Sequence, residues 1–226
     1  MIEPDRTLER ELLASLNEHS EGPVYLAGVD EVGRGALAGP ASVGIALVSL
    51  TTADEFPAGL RDSKLMSPLA RTNAVAAVSQ WVDAAAVGHA GPAAVNEWGV
   101  IGALRIAAAN ALASLEGYTI GGVLLDGVHD WWTTDGLPIG PQLPPYPVRT
   151  EVKGDAKCAV VAAASVLAKV ARDELMIELA KDYPGYDWER NKGYSSASHI
   201  EGLRTLGTSA QHRTSWKLPG IEQGLT

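Results

Sequence analysis

Val24–Pro40 reads VYLAGVDEVGRGALAGP. An apolar, β-prone run from Val24 to Val29 ends on two adjacent acids, Asp30 and Glu31. The chain then enters a turn-rich stretch with glycines at 33, 35 and 39. Residues 41–50 (ASVGIALVSL) form a second run of strand length, so two strands joined by a glycine-rich connection open the domain. Neighbouring residues of a regular strand point to opposite faces, and the spacing therefore predicts that Asp30 and Glu31 share a site only where the strand end is irregular. Gly33 and Gly35 make such a distortion sterically cheap. The glycine spacing fits neither the GxxxxGK[ST] phosphate loop nor the GxGxxG dinucleotide fingerprint. Backbone amides around Arg34 suit close contact with a phosphate or ribose, and a tight turn with a solvent-facing arginine fits the same spacing equally well.

Outward from this stretch, Leu8, Leu12, Leu13 and Leu16 recur at helical spacing and predict a short amphipathic helix over 5–18. Ser67-Pro68 has the form of an N-cap followed by proline in the first turn and predicts a helix to about Val82. A short strand follows at 84–90. Gly91-Pro92 breaks the chain before a long Ala-rich helix at about 93–115, in which Val95, Trp98, Ile101, Leu104, Ile106 and Leu112 offer apolar contacts. Residues 121–125 form the next strand, which again ends on an acid, Asp126. An ordered, proline-containing loop fills 127–147, and a β-prone segment follows at 148–152. A strong helix spans about 156–181, its apolar start Val160 to Ala164 implying burial on more than one side. The last 45 or so residues read as a small helical extension. Strands and helices mixed in this order indicate a three-layer α/β arrangement.

The 226 residues suffice for one substantial core. With 18 Lys+Arg against 27 Asp+Glu the net charge is −9, which argues against bulk coating of nucleic acid but leaves room for a small basic rim around an acidic, metal-filled centre. The single cysteine, Cys158, excludes an internal disulfide framework and supplies too few thiolates for a zinc-cysteine site. The start MIEPDRTLERELL lacks the charged and apolar regions of a secretory signal, and no apolar run reaches the roughly 20 residues of a membrane span. A soluble, cytoplasmic protein with no membrane partner is the expectation.

Acids placed at segment ends carry the chemistry. Asp30 and Glu31 close the first strand, Asp126 a later one, and Asp155 begins the long helix. Four converging carboxylates repel one another unless divalent cations lie between them, and hard Mg²⁺ or Mn²⁺ prefers such oxygen ligands. Taken singly, Asp155 also reads as a helix N-cap and Asp126, before Gly127, as a turn residue. The Asp30-Glu31 pair resists so plain a reading, because it adjoins an apolar run and a three-glycine loop.

The stretch around GVDEVGRGALAGP resembles the signature of the type 2 ribonuclease H family, ribonuclease HII. The resemblance continues in order through LRDSK (60–64), LLDG (124–127), KGDAK (153–157), AAASVLAKVARD (162–173), KGY (192–194) and HRTSW (212–216). It implies a ribonuclease H-like fold, an α/β architecture with a central mixed β-sheet flanked by helices, organised as a catalytic domain over 1–180 and a helical C-terminal extension over 181–226 packed on it. By the same resemblance Asp30, Glu31, Asp126 and Asp155 are the catalytic, metal-binding carboxylates. Gly33, Arg34 and Gly35 read the 2′-hydroxyl at an RNA-to-DNA junction, Tyr194 stacks beside the following deoxyribose, and Lys64, Ser165 and Lys169 assist with phosphates or local support.

The implied enzyme is a monomeric endoribonuclease holding two Mg²⁺ or Mn²⁺ ions. It cuts 5′ of ribonucleotides in RNA-DNA hybrids or in duplex DNA, leaving 3′-hydroxyl and 5′-phosphate ends. Larger residues at Gly33 or Gly35 are then expected to harm activity more than folding. Two segments depart from the family pattern: Val95-Asn96-Glu97-Trp98-Gly99, in a helix forming one wall, and His129-Asp130-Trp131-Trp132, a loop expected to pack on the body, with His129 or Trp131 touching nucleic acid as the alternative. Rival readings are another divalent-metal nuclease of this fold that cuts all-DNA substrates, and a non-enzymatic acidic binding module.

Overall fold

The computed structural model describes residues 3–18, 20–133 and 139–221. The two opening strands, β1 (Tyr25–Val32) and β2 (Ala41–Val48), pair antiparallel. β3 (Ala84–Ala90) adds antiparallel to β2, while β4 (Ile120–Asp126) lies parallel to β1 and β5 (Val148–Glu151) parallel to β4. The sheet order is β3-β2-β1-β4-β5. Because β1 and β4 run parallel, Asp30 and Glu31 near the end of β1 and Asp126 at the end of β4 emerge at the same end of the sheet.

Alternation sorts the strand residues between two layers. Ala27, Val29, Val43, Ile45, Leu47, Val123 and Leu125 pack with Ala103, Leu104, Ala107 and Ala111 of α3 (Pro92–Ala113). On the other face Leu26, Ala46, Val48 and Leu124 meet Val160 to Ala164 of α5 (Ala159–Asp182), Leu13 of α1 (Thr7–Asn17) and Val78 of α2 (Pro68–Trp81). Glycines bring α5 to backbone distance from the sheet. A Cβ on Gly28 would stand 2.7 Å from the Val160 backbone, and one on Gly44 would run into the Ala164 carbonyl oxygen.

Three expectations need correction. β1 runs three residues past Val29 in regular register, with Asp30 opposite Gly44, Glu31 opposite Val43 and Val32 opposite Ser42, because β2 offers it an unbroken partner. No irregular strand end is needed. The helix expected at 93–115 is broken at Gly99 (φ 69, ψ 176), a backbone region that favours glycine, and the neighbouring Trp98 is exposed rather than packed. The helix expected at 156–181 is two: α4 (Gly154–Lys157) and α5, separated by extended Cys158. Asp5 extracts this residue from the helix by pairing around it, Asp5 N–H donating to Lys157 O (2.8 Å) and Ala159 N–H to Asp5 O (3.0 Å). Glu9 of α1 then accepts the Val160 amide at 2.7 Å and supplies the start of α5 with an anionic cap.

Beyond α5, α6 (Trp188–Asn191) and α7 (Ala197–Leu206) fold back onto the glycine-rich stretch. Tyr186 and Trp188 pack with Ala38 and Met176, and Leu203 and Leu218 with Leu37. Backbone bonds add to this: Leu37 N–H to Gly193 O (2.8 Å), Gly39 N–H to Gln211 O (2.8 Å) and Arg213 N–H to Leu37 O (3.0 Å). Within the proline-containing loop Trp131 and Trp132 are buried and His129 is exposed, so the tryptophans pack on the body. Residues 134–138 of that loop and 222–226 of the tail lie outside the described residues. Among the described residues no helix is long and apolar enough to cross a membrane.

Candidate active site

The common edge of β1 and β4 opens into a cleft of about 490 Å³ lined by Asp30, Glu31 and Asp126, the Val32–Gly35 turn, Ser63, Lys64, Ser165, Lys169 and Tyr194. Ten of the eleven residues singled out from the sequence thus meet in one place. The eleventh, Asp155, stands just behind: its Oδ2 accepts Lys64 Nζ at 3.1 Å, and its amide donates to Asp126 Oδ1 at 3.3 Å. Asp155 is not the N-cap of its helix. That position belongs to Lys153, in left-handed conformation (φ 57, ψ 44), and the turn it makes delivers Gly154 close to Asp126. Asp126 closes β4 as expected, with the turn passing to Gly127 (φ 97).

Asp30 and Glu31 reach the cleft from opposite sheet faces. Asp30 lies on the α5 side, only 6% exposed, and burial pushes its pKa up to about 8. A hydrogen bond with Ser165 opposes that rise, and the carboxylates of Asp126 and Glu31 add to it. Ser165 Oγ is itself tied to Ser63 Oγ at 2.9 Å. Burial likewise raises the pKa of Asp126, against amide bonds from Asp155 and Gly154, and that of Asp155, where Asp126 adds repulsion and Lys64 subtracts it. Burial works against the Lys64 ammonium, but Asp155 and Asp30 more than reverse it and raise its pKa. Glu31, on the α3 side, accepts Arg34 Nη1 at Oε1 (3.0 Å) and Trp131 Nε1 at Oε2 (3.1 Å).

As they stand, among the described residues, no three acidic, imidazole or thiol groups close around a single point. Lys64 and Arg34 instead place positive charge against the acids. Even so, the donor set fits a hard divalent cation: all its ligands are carboxylate oxygens, and Asp30, Asp126 and Asp155 are desolvated together with too little positive charge to balance them.

The glycine turn forms the opposite wall. Gly33 takes φ 80, and a Cβ there would strike Arg172 Nε and stand 2.7 Å from Pro40 O. Its amide donates to the Tyr194 hydroxyl at 3.0 Å. Gly33 is therefore a structural glycine, and its substitution carries a folding cost alongside any loss of activity. Gly35 is exposed, and a Cβ there would meet nothing within 4 Å. Among the described residues the amides of Arg34 and Gly35 make no hydrogen bond. Lys169 points into the cleft from α5, paired with Asp173 at 2.5 Å.

Two buried arginines that the sequence did not single out hold this wall. Arg172 donates to the carbonyls of Pro40 (2.8 Å), Ala38 (3.2 Å) and Lys192 (3.0 Å), with Tyr194 above its guanidinium at 5.4 Å. Arg213 donates to those of Arg34 (2.8 Å), Gly33 (2.6 Å) and Gly39 (3.2 Å). The signal available was a lone arginine in each of two blocks that carry the family resemblance, AAASVLAKVARD and HRTSW. Behind Tyr194 a neutral histidine pair continues the support. His199 Nδ1–H donates to Tyr194 O (3.0 Å), leaving Nε2 to accept from Trp188 Nε1 (3.1 Å) and from His212 Nε2 (3.1 Å), while His212 Nδ1 accepts the Ser209 amide (2.9 Å). Burial, with His199 alongside, holds the His212 pKa down at about 4.

Residues 27–219 match the family model described as Ribonuclease HII. A ribonuclease HII of Streptomyces coelicolor is 42% identical over 213 residues, covering 94% of this chain and 83% of the relative. That of Thermus thermophilus is 42% identical over 190 residues, covering 84% and 85%. In fold, the chain is similar to the ribonuclease H2 of Pyrococcus horikoshii (TM-score 0.66, 24% identity, 87% of this chain and 95% of that one). It is also similar to Bst-RNase HIII in complex with Mn²⁺ (TM-score 0.64, 19% identity, 89% and 70%). With its acids at the ends of parallel strands and a match spanning nearly its whole length, the chain belongs to the ribonuclease HII family, metal-dependent endoribonucleases acting on RNA-DNA hybrids and ribonucleotide-containing DNA.

Proposed function

We propose that this enzyme hydrolyses the phosphodiester on the 5′ side of a ribonucleotide, in a hybrid or embedded in duplex DNA, and leaves 3′-hydroxyl and 5′-phosphate ends. The observation that carries this reading is one cleft with desolvated carboxylates on one wall and the unbonded amides of Arg34 and Gly35 on the other. Asp30, Glu31, Asp126 and Asp155 are the catalytic acids and would hold two Mg²⁺ or Mn²⁺ ions. When bound, such ions supply an activated water and stabilise charge on the leaving 3′-oxygen.

The chain's own groups do the recognition. The 2′-hydroxyl is the feature that separates RNA from DNA, and free amides beside a glycine reach it where a side chain at position 35 would stand in the way. Tyr194, 36% exposed and anchored through its hydroxyl to Gly33, offers a ring face to the next sugar. Lys64 and Lys169 face the cleft as phosphate ligands, and Ser165 orients Asp30. Residues 181–226 serve as an extension of the catalytic domain, a role supported within the described residues by the bonds of Gly193, Gln211 and Arg213 to Leu37 and Gly39; the enzyme acts as a monomer.

The test is cleavage of three labelled duplexes, all-DNA, DNA with one ribonucleotide, and RNA-DNA hybrid, with Mg²⁺ or Mn²⁺ and with Asp30→Asn as control. Cuts directly 5′ of the single ribonucleotide, absent in the control, are expected. Cleavage of all-DNA, or unchanged cleavage by the Asp30→Asn protein, would overturn the assignment.

A further inference from the structure

Glu31 is held from two sides by unlike donors. Arg34 reaches Oε1 with a side chain that is 40% exposed and carries a full charge, so it is free to turn toward a phosphate. Trp131 reaches Oε2 with a neutral N–H from a ring only 3% exposed, packed 6.1 Å from Trp132 in the α3-side core. The loop behind that indole is firmly tied. Arg105, buried in α3, donates to the carbonyls of Trp131 (3.1 Å) and Trp132, and through Nε and Nη2 to Pro141 O (3.1 and 2.9 Å). Asp130 Oδ1 accepts the amides of Trp132 and Thr133 (2.9 and 3.0 Å).

A buried N–H needs an acceptor, and a neighbouring carbonyl would serve, as Pro144 O does for Trp132 Nε1 at 3.0 Å. Trp131 is aimed at a cleft carboxylate instead. A neutral donor fixes the orientation of that carboxylate without cancelling the charge a cation needs, which a second arginine would do. We infer that Trp131 is a positioning residue: its indole N–H keeps Glu31 oriented for the divalent cation when Arg34 turns to substrate. This rests on the reading of Glu31 as a catalytic acid.

Trp131→Phe removes the N–H and keeps an aromatic ring. Mn²⁺ binding by titration calorimetry without substrate is expected to weaken about tenfold. On the single-ribonucleotide duplex kcat should fall by a similar factor, with KM and the melting temperature in EDTA little changed. Mn²⁺ affinity and kcat both within about twofold of the parent would overturn the inference. Should Trp131→Phe not fold, benzothienylalanine at 131, an indole isostere with sulfur in place of N–H, gives the same two outcomes. Glu31→Gln run in parallel separates the levels. If that variant stays active, the assignment of Glu31 fails; if it is inactive while Trp131→Phe matches the parent, only the role of Trp131 fails.

Discussion

The two walls of the cleft are built on opposite electrostatic principles. On the acid wall Asp30, Asp126 and Asp155 are each shifted toward neutrality by burial, with Lys64 as their principal counter-charge. On the glycine wall the donors of Arg172 and Arg213 end on the carbonyls of residues 33–40 and 192, and the Gly33 amide ends on Tyr194. One wall is destabilised until a cation arrives; the other is fixed in advance. Binding chemistry needs both, since an acid cluster already neutralised would not draw an ion, and a recognition surface that had to be ordered would lose affinity to that ordering.

The largest effect should come from Asp30→Asn, which tests the acid wall in two directions at once. Cleavage is expected to fall by about 10²–10³-fold, the scale seen when a single group that stabilises transition-state charge is removed. The metal-free protein should become more stable. Below pH 3.8 the Asp30 carboxyl is protonated folded and unfolded alike. Between there and about pH 8 only the unfolded chain releases the proton, so stability falls as pH rises and is lowest above pH 8. Melting in EDTA should therefore show Asp30→Asn gaining several degrees at pH 9 and little at pH 4. A lower melting temperature at pH 9 would contradict the picture of a destabilised wall.

The glycine wall predicts the opposite sign, and its two glycines should part company. Gly33→Ala combines positive φ with a collision at Arg172 and Pro40, a cost of about 2–4 kcal/mol, and lowers the melting temperature on the order of 10 °C. Gly35→Ala meets nothing and should leave stability within about 0.5 kcal/mol while reducing cleavage at a single ribonucleotide roughly tenfold. Thermal melts and single-turnover rates on both variants decide it; equal losses of stability would erase the distinction.

That distinction was not legible in the sequence, and the reason is physical. GVDEVGRGALAGP shows glycines 33 and 35 as equivalents, whereas what separates them is Arg172, more than a hundred positions along the chain. Asp30, Glu31 and Asp126 were legible because they follow apolar runs, a local pattern, and parallel pairing of β1 with β4 then brings them together; Asp155, at a helix start, joins them through Asp126 and Lys64. Trp131 was visible only as part of an unusual loop; its link to Glu31 spans a hundred residues. The break at Cys158 was hidden for the same reason, since Asp5, from the far end of the chain, imposes it on a segment whose own composition is helical.

The smallest expected effect lies behind the glycine wall, in the neutral pair His199 and His212. The hydrogen-bond chain from Ser209 through both rings to Tyr194 O works only if neither imidazole is charged, and burial depresses both pKa values, that of His212 to about 4. The unfolded chain takes up protons near pH 6.5, before the folded one does, so the pair contributes its full stability above that pH and loses it progressively as pH falls toward 4. This slope is opposite to that of Asp30 over the same range, and the two are separable by variant. His212→Gln retains an acceptor for Ser209 and a donor for His199 but does not titrate. It should flatten the acid side of the stability profile by a few degrees between pH 6.5 and 4.5 and leave melting at pH 8 close to the parent. An unchanged acid slope would mean that His212 does not report on the glycine wall, and that Tyr194 is held by Gly33 and Arg172 alone.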